Sequence, residues 1–495
     1  MSELLSASPT GIARRAVEAV VSIAAGSRPY LVGGAVRDLL LGRPVKDLDI
    51  SLEGESESVG RRLAGALGGT FFFLREEEGT ARVVASSGGE TVQVDITRRR
   101  GSLARDLRAR DFTVNAMAAD AARLLSLPSW APDEIAQIVE DPCGGLEDLR
   151  RKVLRVPERT SFTDDPVRVV RALRLCASLG FSIAEETEGL LRGAVPRILS
   201  CSPERIRDEL MQILDRPDAA RWIREADRLG IVRFILPSLD VLHEVEQNYY
   251  HHLGAWDHTM EALDKLTEVV EGRLADAELR ARVAEHLGRS ETSLYSHAAL
   301  VRLAVLLHDV GKPATRSVDP TGRIRFFGHD SEGVSVADGV CRYLRLSRGE
   351  TAAVTTIVRL HMRPNHMMRA VERGAPASRA VLRFFLDAGD RAPDVLLTAM
   401  ADSLASCGPA VPDGWHDRFI RFCSDLLLRA LREGKSVAPT PVVSGGDLIR
   451  HLGLREGPLI GRILRRIQEA QVEGTVCTQE DALNLARRLI EGRSG

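Results

Sequence analysis

At 495 residues the chain exceeds what one hydrophobic core organises, so three or four domains are expected. A net charge of −2, with 27% charged and 44% hydrophobic residues, is ordinary for a soluble protein and carries no global sign of nucleic-acid binding, which must then come from local basic patches. Aromatics at 4% argue against base-stacking platforms, seven scattered cysteines without a CxxC pair exclude a disulfide framework or zinc ribbon, and no stretch approaches the roughly 18 apolar residues of a membrane span, so a cytoplasmic protein is expected.

Behind Arg14-Arg15 the apolar run is broken by Glu18, and Ala16, Val17, Val20, Val21 and Ala24 fall at helical spacing; residues 1–27 read as an amphipathic helix rather than an export signal. Tyr30-Leu31-Val32 is a short apolar run ending at Gly33-Gly34, and residues 35–41 read as a helix start stopped by Gly42. Strand, Gly-Gly, helix is an arrangement that lets backbone N–H groups approach a phosphate, and Arg37 adds charge one turn in. Residues 45–51 alternate in polarity, so Asp47 and Asp49 leave the same face of a strand. Two such carboxylates repel unless a cation lies between them. Mg²⁺ suits the pair, because it takes one or two carboxylates and completes its shell with substrate phosphates. A bare Asp-x-Asp is equally an exposed strand end; the glycine turn at this spacing is what points to nucleotidyl transfer.

Residues 70–74, 81–85 and 91–96 are β-like and bounded by glycines; the last ends at Asp95, a third carboxylate able to complete a metal site or deprotonate an attacking hydroxyl. Arg98-Arg99-Arg100, Arg105, Arg108 and Arg110 put six arginines within thirteen residues, enough for a triphosphate or an RNA backbone, with Asp111 set to orient Arg110 and Asn115 to serve sugar or phosphate. From about residue 145 the pattern is helical. Asp165-Pro166 reads as an N-cap with a first-turn proline, and Arg168, Arg171 and Arg174 then fan over about 120° of one helix face. A carboxylate beside a guanidinium can also read bases. Cytosine and adenine each pair an exocyclic amine with a bare ring nitrogen, so Asp165 and Arg168 would select C and A without a template.

These motifs, Gly33-Gly34-x-x-Arg37-Asp38, Asp47-x-Asp49, Arg110-Asp111-Phe112-Thr113-x-Asn115-Ala116 and Asp165-x-x-Arg168-x-x-Arg171-x-x-Arg174, resemble in order those of class II tRNA nucleotidyltransferases, the CCA-adding enzymes and bacterial poly(A) polymerases. The resemblance implies an α+β fold: a polymerase-β-like head (28–150) on a long helical body, comprising a base- and RNA-binding neck (151–245), a further domain (246–425) and a tRNA-binding tail (426–495). It implies Mg²⁺ on Asp47 and Asp49, nucleotide on Gly34, Arg37, Arg110, Asp165, Arg168, Arg171 and Arg174, and CTP, ATP and tRNA as partners, with neither DNA nor membrane expected; Gly33, Asp111 and Asn115 join the nucleotide-binding candidates from the residue reading above. The sequence departs from the family where Asp164-Asp165 replaces a usual Glu-Asp and where Arg108-Ala109-Arg110 lacks a middle arginine. Only fourteen residues separate Asp95 from Arg110, the interval of the family's flexible loop, which is longer in members that finish with A. In this the chain resembles CC-adding members, and the terminal A is left as the open step.

Further on, His258, His308-Asp309, His329, His361 and Asp402 follow in an order that suits one or two divalent metals. The segment resembles an HD domain. That implies a divalent metal (Mg²⁺, Mn²⁺ or Ni²⁺) on His258, His308, Asp309 and Asp402, and hydrolysis of phosphoesters such as 2′,3′-cyclic phosphates. Pro439-Thr440-Pro441 separates off the tail, where Arg462, Arg465 and Arg466 suit a helix touching RNA. Three alternatives stand beside CC or CCA addition: a poly(A) polymerase, a phosphohydrolase whose head merely binds nucleotide, and a non-catalytic RNA-binding module.

Overall fold

The computed structural model describes residues 11–24, 26–75, 79–99, 101–247, 253–290, 295–374, 377–433 and 440–491, so Arg100 and Pro439 lie outside the described residues. Two compact units divide the chain, Met1–Cys201 and Ser202–Gly495. The first is α+β; the second is almost wholly helical.

In the first unit, strands β1 (Tyr30–Val32), β2 (Asp47–Leu52), β3 (Thr70–Arg75), β4 (Thr80–Ser87), β5 (Glu90–Arg98), β6 (Ala118–Asp120) and β7 (Val139–Glu140) form one sheet in the order β3-β4-β5-β2-β1-β6-β7. Within this sheet only β2 and β5 pair in parallel. Helices α1 (Gly11–Ile23), α2 (Gly34–Leu40) and α3 (Ser56–Leu67) contribute to its core. Even-numbered Leu48, Ile50 and Leu52 of β2 and Val92, Val94 and Ile96 of β5 are buried with Val17, Val20, Val59 and Leu63. Each such side chain contributes about 1.5–3 kcal/mol, and Ile50→Ala would cost about 2–5 kcal/mol. Period two therefore sends the odd-numbered acids 47, 49 and 95 to the opposite face, where the site is built.

The β4–β5 hairpin turns on Gly88-Gly89, both at positive φ (62° and 82°), a two-residue loop whose twist matches the strands. Its register sets Arg82 opposite Asp95. Because β5 continues to Arg98, Asp95 lies inside the strand and not at its end. The stretch between Asp95 and Arg110 holds the rest of β5 and a short helix, α4 (Leu103–Arg108), capped by the Ser102 side chain.

In the second unit, helices carry every histidine and aspartate of the second predicted cluster or end beside it. Near the C-terminus, Val443, Leu448, Ile463, Ile467, Ala482 and Ala486 form a small core of their own. No helix among the described residues is long and apolar enough to cross a membrane.

Candidate functional site

The parallel pairing of β2 with β5 sets Asp49 directly beside Asp95, and Val32, at the end of β1, flanks Asp49 on the other side. The chain then turns at Gly33 (φ 73°), where a Cβ would stand 2.7 Å from Arg110 Nη1 and 2.9 Å from Asp49 Oδ2. Only glycine lets the turn, the carboxylate and the guanidinium converge. Burial, together with Asp95, Asp47 and Asp111, pushes the Asp49 carboxyl up to about 6, although Arg110 opposes the rise. A cluster of acids with one such carboxyl is short of positive charge, and hard carboxylate oxygens fit a divalent cation. Asp95 is partly neutralised already: Arg82 donates to both its oxygens at 2.7 Å.

The nucleotide-binding candidates form one connected network in the same unit. Arg37 donates to Asp38 (2.9 and 2.8 Å) and to the Asn115 amide oxygen (2.6 Å). Asn115 donates in turn to Asp111 at 3.0 Å, and Asp111 lies 3.5 Å from Arg171. Asp111 was expected to orient Arg110; instead Arg110 pairs with Asp106 at 3.7 Å, because the Asp111 carboxylate folds back to its own loop and accepts the Phe112 amide at 2.8 Å. Asp165 is not the N-cap expected of it. The arginine helix spans Arg168–Leu179 with Val167 before it, so Asp165 stands ahead of its first turn. There it faces Arg168 Nε at 3.9 Å, a nitrogen with no hydrogen-bond partner among the described residues. The other end of Arg168 donates to the carbonyls of Ala109 (2.8 Å), Arg110 (3.2 Å) and Ser161 (3.3 Å) and to Ser161 Oγ (2.8 Å). A cavity of about 250 Å³ beside this pair is lined by Arg105, Arg108, Asp164 and Arg168 among others. Arg174 lies two turns along the helix, partly buried. Arg99, read as part of a basic patch, is buried against Tyr30 and bound to Glu53 at 2.6 Å, and so leaves that patch.

In the second unit, His258 Nε2 lies 3.0 Å from Asp402 Oδ1 and 3.5 Å from Asp309 Oδ2, and His308 Nε2 lies 3.1 Å from Asp309 Oδ2 and 3.7 Å from Asp402 Oδ1. His329 Nε2 approaches Asp309 Oδ1 at 3.5 Å and His361 Nε2 at 3.3 Å. Each imidazole turns Nδ1 to a backbone carbonyl: Ala405 for His258, Val305 for His308, Phe326 for His329 and Val358 for His361. A proton on Nδ1 would suit those carbonyls and leave each Nε2 to the cluster, the tautomer a metal requires. His308 Nε2 is buried without an aligned hydrogen bond, as expected of a group built for a cation. Lys312 Nζ, 2.6 Å from Asp309, adds a fixed positive charge. Beside the cluster a cavity of about 310 Å³ is lined by His329, His366, Arg325, Arg369, Phe327 and Trp415 among others.

Arg82 and Lys312 were missed as site residues, and His329 and His361 were read as suiting a metal only within the six-residue order, outside the four-ligand set. Counting outward from Gly88-Gly89 as a two-residue turn would have set Arg82 opposite Asp95; for Lys312 the available signal was its position three residues after Asp309 on a helical path.

The chain matches the Poly A polymerase head domain over residues 29–155, the RNA- and SrmB-binding site of polymerase A over 180–242, the HD domain over 274–406 and tRNA nucleotidyltransferase domain 2 over 441–486. It is 35% identical to the A-adding tRNA nucleotidyltransferase of Deinococcus radiodurans, spanning 94% of this chain and 96% of that one. It is also 35% identical to the CC-adding tRNA nucleotidyltransferase of Thermus thermophilus, spanning 92% of each. A CCA-adding enzyme solved with CTP shares the fold at a TM-score of 0.59 and 21% identity, over 99% of this chain and 97% of that one. The chain belongs to the tRNA nucleotidyltransferase family. It is a nucleotidyltransferase that also carries an HD domain, and both parts suit divalent metals.

Proposed function

We propose that this enzyme adds C residues to the 3′ end of tRNA from CTP, without a template, in the cytoplasm. The observation that carries the reading is the convergence of Asp49, Gly33 and Arg110 beside Asp47 and Asp95. Asp47 and Asp49 would hold Mg²⁺, which when bound neutralises the triphosphate and activates the tRNA hydroxyl. The chain's own residues do the rest. The Gly33-Gly34 turn and Arg37 bind phosphate, Arg110 sits between the carboxylates and the incoming nucleotide, and Asp165 with Arg168 Nε reads the amine and ring nitrogen of the base. Identity alone does not separate CC from A addition, since relatives of both kinds are equally similar. The short stretch between Asp95 and Arg110, filled by β5 and α4, supports CC.

The test incubates full-length protein with tRNAs ending before C74, after C75 and after A76, supplied with CTP, ATP or both, and sequences the 3′ ends. Products ending in CC with both nucleotides present support the reading. A single A on the CC-ended tRNA refutes it, and a run of A residues identifies a poly(A) polymerase.

A second activity is favoured by the histidine–aspartate cluster and its cavity: hydrolysis of phosphoesters such as 2′,3′-cyclic phosphates with Mg²⁺, Mn²⁺ or Ni²⁺ held by His258, His308, Asp309 and Asp402. His308→Ala should abolish that hydrolysis and spare nucleotide addition, while Asp47→Asn should do the reverse.

A further inference from the structure

We propose that His286, His297 and Asp394 form a transition-metal site of their own, which ties together the N-terminal ends of the two helices that carry His308-Asp309 and Asp402. His286 stands in the last turn of the helix Ala277–Gly288, His297 opens the helix His297–Leu307, and Asp394 lies in the first turn of the helix Ala392–Ala405. Each offers one ligand atom, and the three atoms lie within 4.8 Å of one another. His286 Nε2 meets Asp394 Oδ1 at 2.6 Å, and the two imidazole rings stand edge to face with centroids 4.9 Å apart. Arg391 holds the other Asp394 oxygen at 3.3 Å, leaving Oδ1 directed at the imidazoles, as outer hydrogen bonds orient metal ligands elsewhere.

A His–Asp hydrogen bond alone would account for His286 and Asp394, which are 5% and 1% exposed. It leaves His297 unexplained. Nδ1 of His297 is buried and has no hydrogen-bond partner among the described residues, a vacancy that an ordinary packed histidine fills. Burial also lowers the His297 pKa, which favours the neutral imidazole and leaves one ring-nitrogen lone pair for an ion. Two imidazoles and one carboxylate match Zn²⁺, Co²⁺ or Ni²⁺ rather than Mg²⁺. The placement gives the ion a task. Along one helix His297 precedes His308 by eleven residues, about 16 Å, and along the other Asp394 precedes Asp402 by eight, about 12 Å. An ion clasping the near ends fixes the spacing of the far ends, where the larger cluster is assembled.

The experiment uses metal-stripped full-length protein carrying His308→Ala and Asp402→Ala, with excess Mg²⁺ to fill the head, titrated with Co²⁺. One equivalent should bind with visible d–d bands and raise Tm, and adding His297→Ala or His297→Gln should abolish both effects. Should the double variant not fold, the same subtraction is made in the otherwise unmodified chain, where His297→Ala should lower bound Co²⁺ by one equivalent. Equal stoichiometry with and without His297, or bands that survive both substitutions, overturns the proposal.

Discussion

Arg82 grips Asp95 through two parallel hydrogen bonds of 2.7 Å, Nε to Oδ1 and Nη2 to Oδ2, one strand away from Asp49. The grip divides the acids: Asp95 is charge-balanced by Arg82, while Asp47 and Asp49 are, on the proposed reading, the pair that would hold a cation. Releasing it should have two effects. Arg82→Ala lowers stability, and a double-mutant cycle with Asp95→Ala gives a coupling of about 1–2 kcal/mol, since both groups are partly shielded. The Mg²⁺ concentration for half-maximal incorporation falls, because a third carboxylate becomes available beside the pair. Unfolding and Mg²⁺ titrations of the four proteins check both; a coupling near zero would show the contact to be incidental.

The glycine pair makes a sharper contrast. Gly33→Ala forces a Cβ against Asp49 and Arg110 in a left-handed turn, and should cost about 1–2 kcal/mol of stability and at least about a hundredfold in kcat. Gly34→Ala meets only the Arg37 guanidinium, at 3.3 Å, which need yield only slightly, so the rate should change by less than about fivefold. Steady-state incorporation by the two variants decides it, and equal losses would mean that backbone conformation at Gly33 is not what shapes the site.

Much of this was legible before any coordinates. The alternation around Asp47 and Asp49 gave the face and the turn gave the position, because period two and positive φ are local properties. The second cluster was legible through its order along the chain, each histidine falling at a helix end or beside one. What failed depended on how loops fold back and where a helix opens. Asp111 looked like the orienter of Arg110 because it is adjacent, yet the loop folds it onto Asn115 and Arg171. Arg99 looked like one of a basic run until β5 carried it inward to Glu53. Asp165-Pro166 has the composition of a helix start, but the helix opens two residues later than that signal suggests.

Glu469 gathers Arg379 (2.8 Å), Arg383 (2.5 Å) and Arg466 (2.7 Å), joining the helices Ala377–Ala388 and Pro458–Val472. Burial opposes its charge, but the arginines outweigh it and hold the carboxyl down to about 2. An unfolded glutamate, at 4.5, takes up its proton earlier, so this contribution is complete above that pH and disappears as pH falls toward 2. Glu469→Gln should therefore destabilise the protein at pH 7 by about 1 kcal/mol, the arginines being half exposed. The gap between variant and parent should narrow below about pH 4.5 and close toward pH 2. Thermal unfolding across that range checks the sign; a gap that persists in acid assigns the loss to packing instead of charge.

Arg168 has two tasks, and they can be pulled apart. Its terminal nitrogens hold the carbonyls of Ala109, Arg110 and Ser161, which fixes the loop that presents Arg110, while Nε is left toward Asp165. Arg168→Ala should therefore slow CTP and ATP incorporation alike, by about a hundredfold or more, because Arg110 loses its mooring. Arg168→Lys should rescue little: one ammonium cannot span acceptors that a planar fork reaches from both nitrogens. Asp165→Asn keeps Arg168 and its carbonyl contacts and, on the proposed reading, puts an amide N–H where a carboxylate would accept from the base. It should raise the ratio of UTP to CTP incorporation by about tenfold or more with a smaller loss of rate. Measured kcat/KM for the four nucleotides separates these outcomes. A lysine variant with normal rate and selectivity would mean that only charge is needed at position 168, and the clamp would have to be abandoned.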